Sequence, residues 1–299
     1  MTTTTPAGGF AALELTEILR RACEAVGEDP TGAILLRGHT NAVVRLATAP
    51  VVVKIARRGT RLADVQRTVR LVEWLQSMDF PTAPLHPVRQ PLDPDGHPVT
   101  FWTYLTQSQH PVAAELLADP LRRLHALPEP PVRLPAVDTV GAIRRSLAAI
   151  AVLPDDEHTF LSTLVDGLER DLASVRYELR PGVIQGDPQH RNALHFEGRA
   201  VLCDWDTASL GQPEWDLVTM EIHCRRFGYG QDHYKAFATA YGFDVTAWEG
   251  YRTLSALREL RMITTNAKKA PPHSAALAEV RNRIDGLRQA DSTLAWNIL

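Results

Sequence analysis

The chain has 299 residues, 44% of them hydrophobic, enough for one large domain or two modest ones around a sizeable core. A net charge of −3 speaks against general binding to nucleic acid or to a membrane surface, and no apolar stretch approaches the length of a membrane span. The three cysteines, Cys23, Cys203 and Cys224, form no CxxC pair and are odd in number, so a reduced cytoplasm fits better than a disulfide scaffold. Positive charge comes from 28 Arg and only 4 Lys, an imbalance that a GC-rich coding sequence explains and that makes a Lys inside a strand stand out.

Met1 to Phe10 is Thr-rich and uncharged, too polar for a signal peptide, and reads as a loose tail. Residues 11–26 follow as an amphipathic helix with Leu15, Ile18, Leu19 and Ala22 on one face. Three β-rich runs, 33–37, 42–47 and 50–56, are separated by Gly38-His39-Thr40-Asn41 and by Thr48-Ala49-Pro50. Apolar residues at three- and four-residue spacing predict a helix over 61–78, which Pro81 and Pro84 end. Strands are expected at 85–90 and 98–104, joined by Asp93-Pro94-Asp95-Gly96. Beyond Leu105 helical periodicity dominates, over 112–126, 138–152, 156–176, 214–226, 231–241, 246–266 and 274–289, with a Pro-rich surface excursion at Pro128 to Pro135 and one β interruption at 182–204. There is no internal repeat. The reading is a strand-rich segment, 1–105, joined to a helical segment, 106–299, and such a junction is a common place for a ligand.

The chemistry concentrates in that interruption. Asp187 and Asn192 stand five residues apart in a Gly-Asp-Pro loop, and after a hairpin-like stretch Asp204 ends the apolar run Ala200-Val201-Leu202-Cys203. Kinase-type phosphoryl transfer uses such a trio: one Asp accepts the proton of the attacking hydroxyl, and the Asn and the second Asp hold a divalent cation on the nucleotide phosphates. Each part alone has a plainer reading. The loop is good turn chemistry, and Asp204 can cap a turn, although a carboxylate ending a buried strand needs a partner or a metal. Lys54, within Val51-Val52-Val53-Lys54-Ile55, either faces solvent or meets an anion.

Together these residues resemble the aminoglycoside phosphotransferase and choline kinase-like family, small-molecule relatives of the protein kinases. The family's H-G-D-x-x-x-x-N loop matches Gln185-Gly186-Asp187-Pro188-Gln189-His190-Arg191-Asn192, its I-D-W motif matches Cys203-Asp204-Trp205, and its G-D-P-x-x-D-L matches Gly211-Gln212-Pro213-Glu214-Trp215-Asp216-Leu217. The resemblance covers about residues 33–265 and implies an α+β, protein-kinase-like two-lobed fold, with a small β-rich N-lobe and a larger, mostly helical C-lobe. It implies ATP, or GTP, with Mg2+ as the phosphate source and a small-molecule hydroxyl as acceptor. Asp187 is then the catalytic base, Asn192 and Asp204 the metal ligands, and Lys54 the phosphate contact. The main chain of Trp102-Thr103-Tyr104 meets adenine, Gly38 to Asn41 covers the nucleotide, and Asp216 anchors the catalytic loop.

Three departures stand out. Gln185 replaces the family's His in a supporting position, where an amide still donates and accepts hydrogen bonds. Arg191 stands where Gly is frequent. The helix acid expected to pair with Lys54 is missing: its place falls on Thr68, which leaves Asp64, one turn earlier, or Glu73.

Asp204-Trp205-Asp206 also fits the D-x-D of a phosphatase or a glycosyltransferase, but a phosphatase needs a doubly wound sheet and the remaining sequence reads as helices. A kinase-like module that binds nucleotide without catalysis is the alternative of another class, motivated by the missing acid and Gln185. The histidines and cysteines show no zinc spacing. For the acceptor, nine acids face five bases between residues 204 and 259, which suits a cationic amino sugar or quaternary amine; Asp206, Glu221 and Glu259 are the candidate contacts, each with a turn cap or a salt bridge as its plain alternative. An antibiotic-like natural product leads by family analogy, ahead of a choline- or homoserine-like alcohol.

Overall fold

The structure is a computed structural model that describes residues 10–38 and 41–299. In chain order its elements are α1 (Ala12–Val26), β1 (Ile34–Gly38), β2 (Ala42–Arg45), β3 (Val51–Ile55), α2 (Leu62–Ser77), β4 (Val99–Thr103), α3 (Ala114–His125), α4 (Thr139–Ala148) and α5 (Asp155–Leu172). They continue with β5 (Gly182–Ile184), β6 (Ala193–Phe196), β7 (Arg199–Leu202), β8 (Ser209–Gly211), α6 (Glu214–Arg226), α7 (Gln231–Tyr241), α8 (Tyr251–Lys269) and α9 (Ala275–Arg288). The chain forms two compact units: unit 1 is Met1–Val112, Pro130–Leu134 and Asn192–Ala208, and unit 2 is Ala113–Glu129, Pro135–Arg191 and Ser209–Leu299.

Unit 1 is built on an antiparallel sheet of order β1-β2-β3-β4. Side chains alternate along a strand, so Val51, Val53 and Ile55 go into the core while Lys54 takes the opposite face. The apolar stripe of α1, Leu15, Ile18, Leu19 and Ala22, packs on that core with Val44 and Phe101. Phe10 corrects the expectation of a loose tail up to that residue. It is buried in the same cluster, and the Arg57 guanidinium lies 5.0 Å from its ring centroid, because an aromatic side chain gains more from burial than from exposure.

The strand expected at 85–90 does not form. Pro84 and Pro87 lack the N–H a ladder needs, and among the described residues single bridges, Leu85 to Trp102 and Leu92 to Val99, remain. The Gln90 side chain substitutes for main chain there, its Oε1 accepting from Phe101 N–H at 2.8 Å. The hairpin β6–β7 belongs to unit 1, where Leu202 exchanges main-chain hydrogen bonds with Pro81 and Ala83.

Unit 2 is helical. Leu161 and Val165 of α5, Leu257, Leu260 and Ile263 of α8 and Ile284 of α9 form its main core. α6 is buried on nearly every side. The short pair β5–β8 closes the excursion that carries the motif residues; β8 is a strand the sequence did not suggest. The helix expected over 246–266 divides instead, because the Asp244 carboxylate accepts from Thr246 N and Oγ1 and folds Val245–Ala247 into a separate turn before α8 begins.

Candidate active site

In unit 1, Lys54 meets carboxylates far along the chain. Its Nζ lies 2.8 Å from Asp204 Oδ1 and 2.8 Å from Asp206 Oδ2. Burial opposes its charge, but the two carboxylates prevail and hold the ammonium above the ordinary lysine range. Burial likewise pushes the Asp204 carboxyl up, and Lys54 with Arg37, 3.6 Å away, overcomes that and keeps it below its usual value. Asp204 adopts a left-handed backbone (φ 59, ψ 63), unusual for a residue with a side chain, and the turn Trp205–Thr207 follows. The turn is fixed by Trp205, whose buried indole N–H donates to Thr82 Oγ1 at 2.8 Å.

Asp64 is not the partner of Lys54. It bonds Arg67 at 2.9 Å, its own neighbour on α2, and Glu73 is exposed, so neither acid reaches the ammonium; Asp204 and Asp206 take that role. Asp64 and Thr68 do line, with Lys54, Asn41, Trp102 and Asp206, a cavity of about 190 Å3. Asn41 Nδ2 donates to Asp206 Oδ2 at 3.3 Å, and Gly38 pairs with Ala42 at the end of β1, while His39 and Thr40 lie outside the described residues. The Asn192 main-chain oxygen accepts from Cys203 N at 2.9 Å, which ties the start of the hairpin to the residue before Asp204. A side-chain amide from Asn192 and a carboxylate from Asp204 are hard oxygen donors, the set that suits Mg2+.

At the end of β4 the main chain is largely committed. Thr103 N–H donates to Pro84 O at 2.9 Å and Tyr104 N–H to Pro50 O at 2.7 Å, while the Tyr104 ring carries Arg45 at 4.2 Å. Trp102 bonds its indole N–H to Thr100 Oγ1. The next residue differs: Leu105 is buried, and its N–H meets no acceptor among the described residues.

In unit 2, Asp216 organises the loop that carries Asp187. Fully buried, it accepts from Gln185 N–H at 2.7 Å and from Gly186 N–H at 2.9 Å, and His125 Nε2 lies 3.2 Å from it. Gln185 Oε1 accepts from Asp187 N–H at 2.7 Å, so the substituted amide still braces the loop. The Asp187 carboxylate accepts from Gln189 Nε2 at 3.0 Å and from Arg258 Nη2 on α8. Arg258 was missed in the sequence. Its signal was an Arg on the apolar stripe of α8, four residues after Leu254 and next to Leu257.

Glu221 and Glu259 are buried in an ion-pair cluster: Glu221 bonds Arg225, and Glu259 bonds both Arg225 and Arg226 at 2.7 to 3.0 Å. They border a cavity of about 540 Å3 with their charge already balanced. His190, Cys224 and His233, set aside on spacing, do converge, with ligand atoms within 4.8 Å of one another. His190 stacks on Tyr229 with ring centroids 3.7 Å apart, its Nε2 lies 3.0 Å from that of His233, and Ala114 N–H donates to His233. Burial first, and His233 second, lower the His190 pKa to about 4.

The chain matches the model of the phosphotransferase enzyme family over residues 31–257. No curated protein sequence matches it. Among solved structures, a choline/ethanolamine kinase family protein from Mesorhizobium loti is 17% identical, with a TM-score of 0.69 over 92% of this chain and 94% of that one. Amicoumacin kinase hAmiN, in complex with AMP-PNP, Ca2+ and Ami, is 15% identical with a TM-score of 0.72 over 94% and 95%. ADP-bound aminoglycoside phosphotransferase APH(2'')-Ib is 14% identical with a TM-score of 0.63 over 93% and 99%. At such identities the likeness concerns the fold, an α+β protein-kinase-like one with a small sheet-based part and a helical part. The family match covers most of the chain, and this protein belongs to the phosphotransferase enzyme family.

Proposed function

We propose that the protein transfers the γ-phosphoryl group of ATP, in the presence of Mg2+, to a hydroxyl of a small molecule. The observation that carries this reading is the convergence of Lys54 with Asp204 and Asp206, 150 and 152 positions further along the chain, with Asn192 tied by its main-chain oxygen to Cys203, the residue before Asp204. The acceptor oxygen forms a bond to the γ-phosphorus while the bond to the β–γ bridging oxygen breaks, ADP leaves with that electron pair, and the hydroxyl proton passes to Asp187. Lys54 contacts the phosphates, and Asn192 and Asp204 hold the metal, which when bound neutralises phosphate charge. The N–H of Leu105, without an acceptor among the described residues, reads the adenine edge, next to the hinge residues Trp102, Thr103 and Tyr104. Asp216 and Gln185 act only by holding the loop.

For the acceptor, the kinship of fold with amicoumacin kinase and with an aminoglycoside phosphotransferase supports an antibiotic-like natural product. One observation favours the second reading, a primary-metabolite alcohol: Glu221 and Glu259, the acids best placed in sequence to receive a polycation, are spent on Arg225 and Arg226. The three free cysteines and the use of ATP fit a cytoplasmic enzyme.

The test is a screen of hydroxylated compounds with γ-labelled ATP and Mg2+, with mass analysis of the products. A phosphate adduct that vanishes when EDTA is added, and in Asp187→Asn, is the expected result. Nucleotide binding without transfer to any acceptor would favour a binding module instead.

A further inference from the structure

α8 brings arginines against the catalytic loop. Arg258 is 7% exposed and bonds Asp187 through Nη2 alone. Its guanidinium lies 5.5 Å from the Trp215 ring centroid, and the Trp215 indole N–H donates to Gly186 O at 3.1 Å, so one side chain orients both the arginine and the loop. The buried Nε–H of Arg258 has no hydrogen-bond partner among the described residues. Arginine presents five N–H donors in a planar fork, and a buried one left unpaired is costly. Arg261, one turn further on, is half-buried and makes no ion pair among the described residues. Burial above all, then the neighbouring Arg258 and Arg145, hold it below the usual guanidinium range, only partly offset by Asp138 and Asp187. Asp138 is itself bonded to Arg145 at 3.0 Å. Arg258 thus meets Asp187 directly, and Arg261 stands one turn further along the same helix.

We infer that the acceptor alcohol carries an oxyanion, a carboxylate or a phosphate, which Arg258 and Arg261 bind while its hydroxyl faces Asp187. The inference rests on the proposed reading of Asp187 as the group that receives the acceptor's hydroxyl, and it narrows the substrate class. A planar fork matches the two oxygens of a carboxylate or phosphate, and such paired, charge-assisted bonds are the strong ones. An oxyanion on the fork would satisfy Arg258 Nε and weaken the hold of the guanidinium on Asp187 Oδ1. A polycationic amino sugar would instead be repelled by Arg258 and Arg261.

The experiment is calorimetric titration of the full chain in saturating Mg2+ and AMP-PNP with four probe sets. These are hydroxy acids such as glycerate and homoserine, sugar phosphates such as glycerol 3-phosphate, the uncharged alcohol glycerol, and the amino sugar glucosamine. The expected result is binding of one oxyanion set at least about tenfold tighter than glycerol or glucosamine, consistent with hydrogen bonds to charged groups. Which set binds tells carboxylate from phosphate. Arg261→Gln, at a half-buried position, should weaken that probe by about ten- to hundredfold, with Arg261→Lys recovering part of the loss; Arg258→Gln should do the same. Absence of oxyanion binding, glucosamine binding as tightly, or an unchanged affinity in Arg261→Gln would each overturn the inference. AMP-PNP affinity, measured in the same cell, keeps the two readings apart: lost nucleotide binding sinks the phosphotransfer reading, whereas lost probe binding beside intact nucleotide binding sinks this inference alone.

Discussion

Asp187 and Lys54 are each bonded to an opposite charge, and each charge has a different consequence when removed. Asp187→Asn keeps the shape of the loop and its bond to Gln189 but cannot accept a proton, so turnover should fall by about 10²–10⁴-fold while equilibrium binding of a fluorescent nucleotide stays the same. Asp204→Ala removes a proposed metal ligand and one of the two carboxylates on Lys54. It should weaken binding of the magnesium–nucleotide complex itself, which calorimetry with and without EDTA would show; an unchanged affinity would place the metal elsewhere. Asp187, Asn192, Asp204 and Lys54 stood out in the sequence as candidates because each sits in a short motif whose spacing one loop or one strand dictates. Arg258 and Asp206 gained their partners across 71 and 152 residues, and no local pattern encodes such a meeting. The Leu105 N–H is a main-chain group that every residue but proline has, so only the fold can single it out.

Elements were most legible where periodicity and punctuation agree. α6 and α7 begin and end where the pattern put them, and α1 shows the predicted buried stripe. The sequence failed at 85–90, where β-prone residues alternate with prolines that veto the ladder, and at 245–250, where a side-chain cap from Asp244 breaks a helical run. Helix α9 allows a test at this scale. Glu279 is buried and bonds Arg283 Nε at 2.8 Å and Asn297 Nδ2 at 2.8 Å. Burial raises its pKa, but Arg283 and Asn297 more than reverse that, so the folded carboxyl titrates below its ordinary value of 4.5. The stabilisation is then complete above 4.5 and disappears as pH falls through the lower, folded value. Glu279→Gln strands the buried Arg283 and should cost about 3–5 kcal/mol at neutral pH. The difference in melting temperature between the two proteins should close on acidification, and a gap independent of pH would mean that packing, not charge, holds α9.

At the scale of the whole molecule, the fold class was readable because strand and helix periodicities occupy different stretches of sequence, whereas the make-up of the two units was not. The division expected at residue 105 takes no account of Pro130–Leu134 and Asn192–Ala208, which belong to unit 1. Ligand linkage gives a global measurement: Mg2+ with ATP at a hundred times its dissociation constant should stabilise the protein by about 2.7 kcal/mol, and EDTA should abolish most of the gain in a thermal melt. The return of Asn192–Ala208 to unit 1 also bears on how the protein is made. Ribosomes extend chains at roughly 5–20 residues per second, so the sheet strand bearing Lys54 emerges roughly 8–30 s before the carboxylate of Asp204, 150 residues later. During that interval a nascent sheet must carry an uncompensated ammonium on a face it later buries, and the strand has reason to stay unlocked, or to lean on a chaperone, until the second half of the message has been translated.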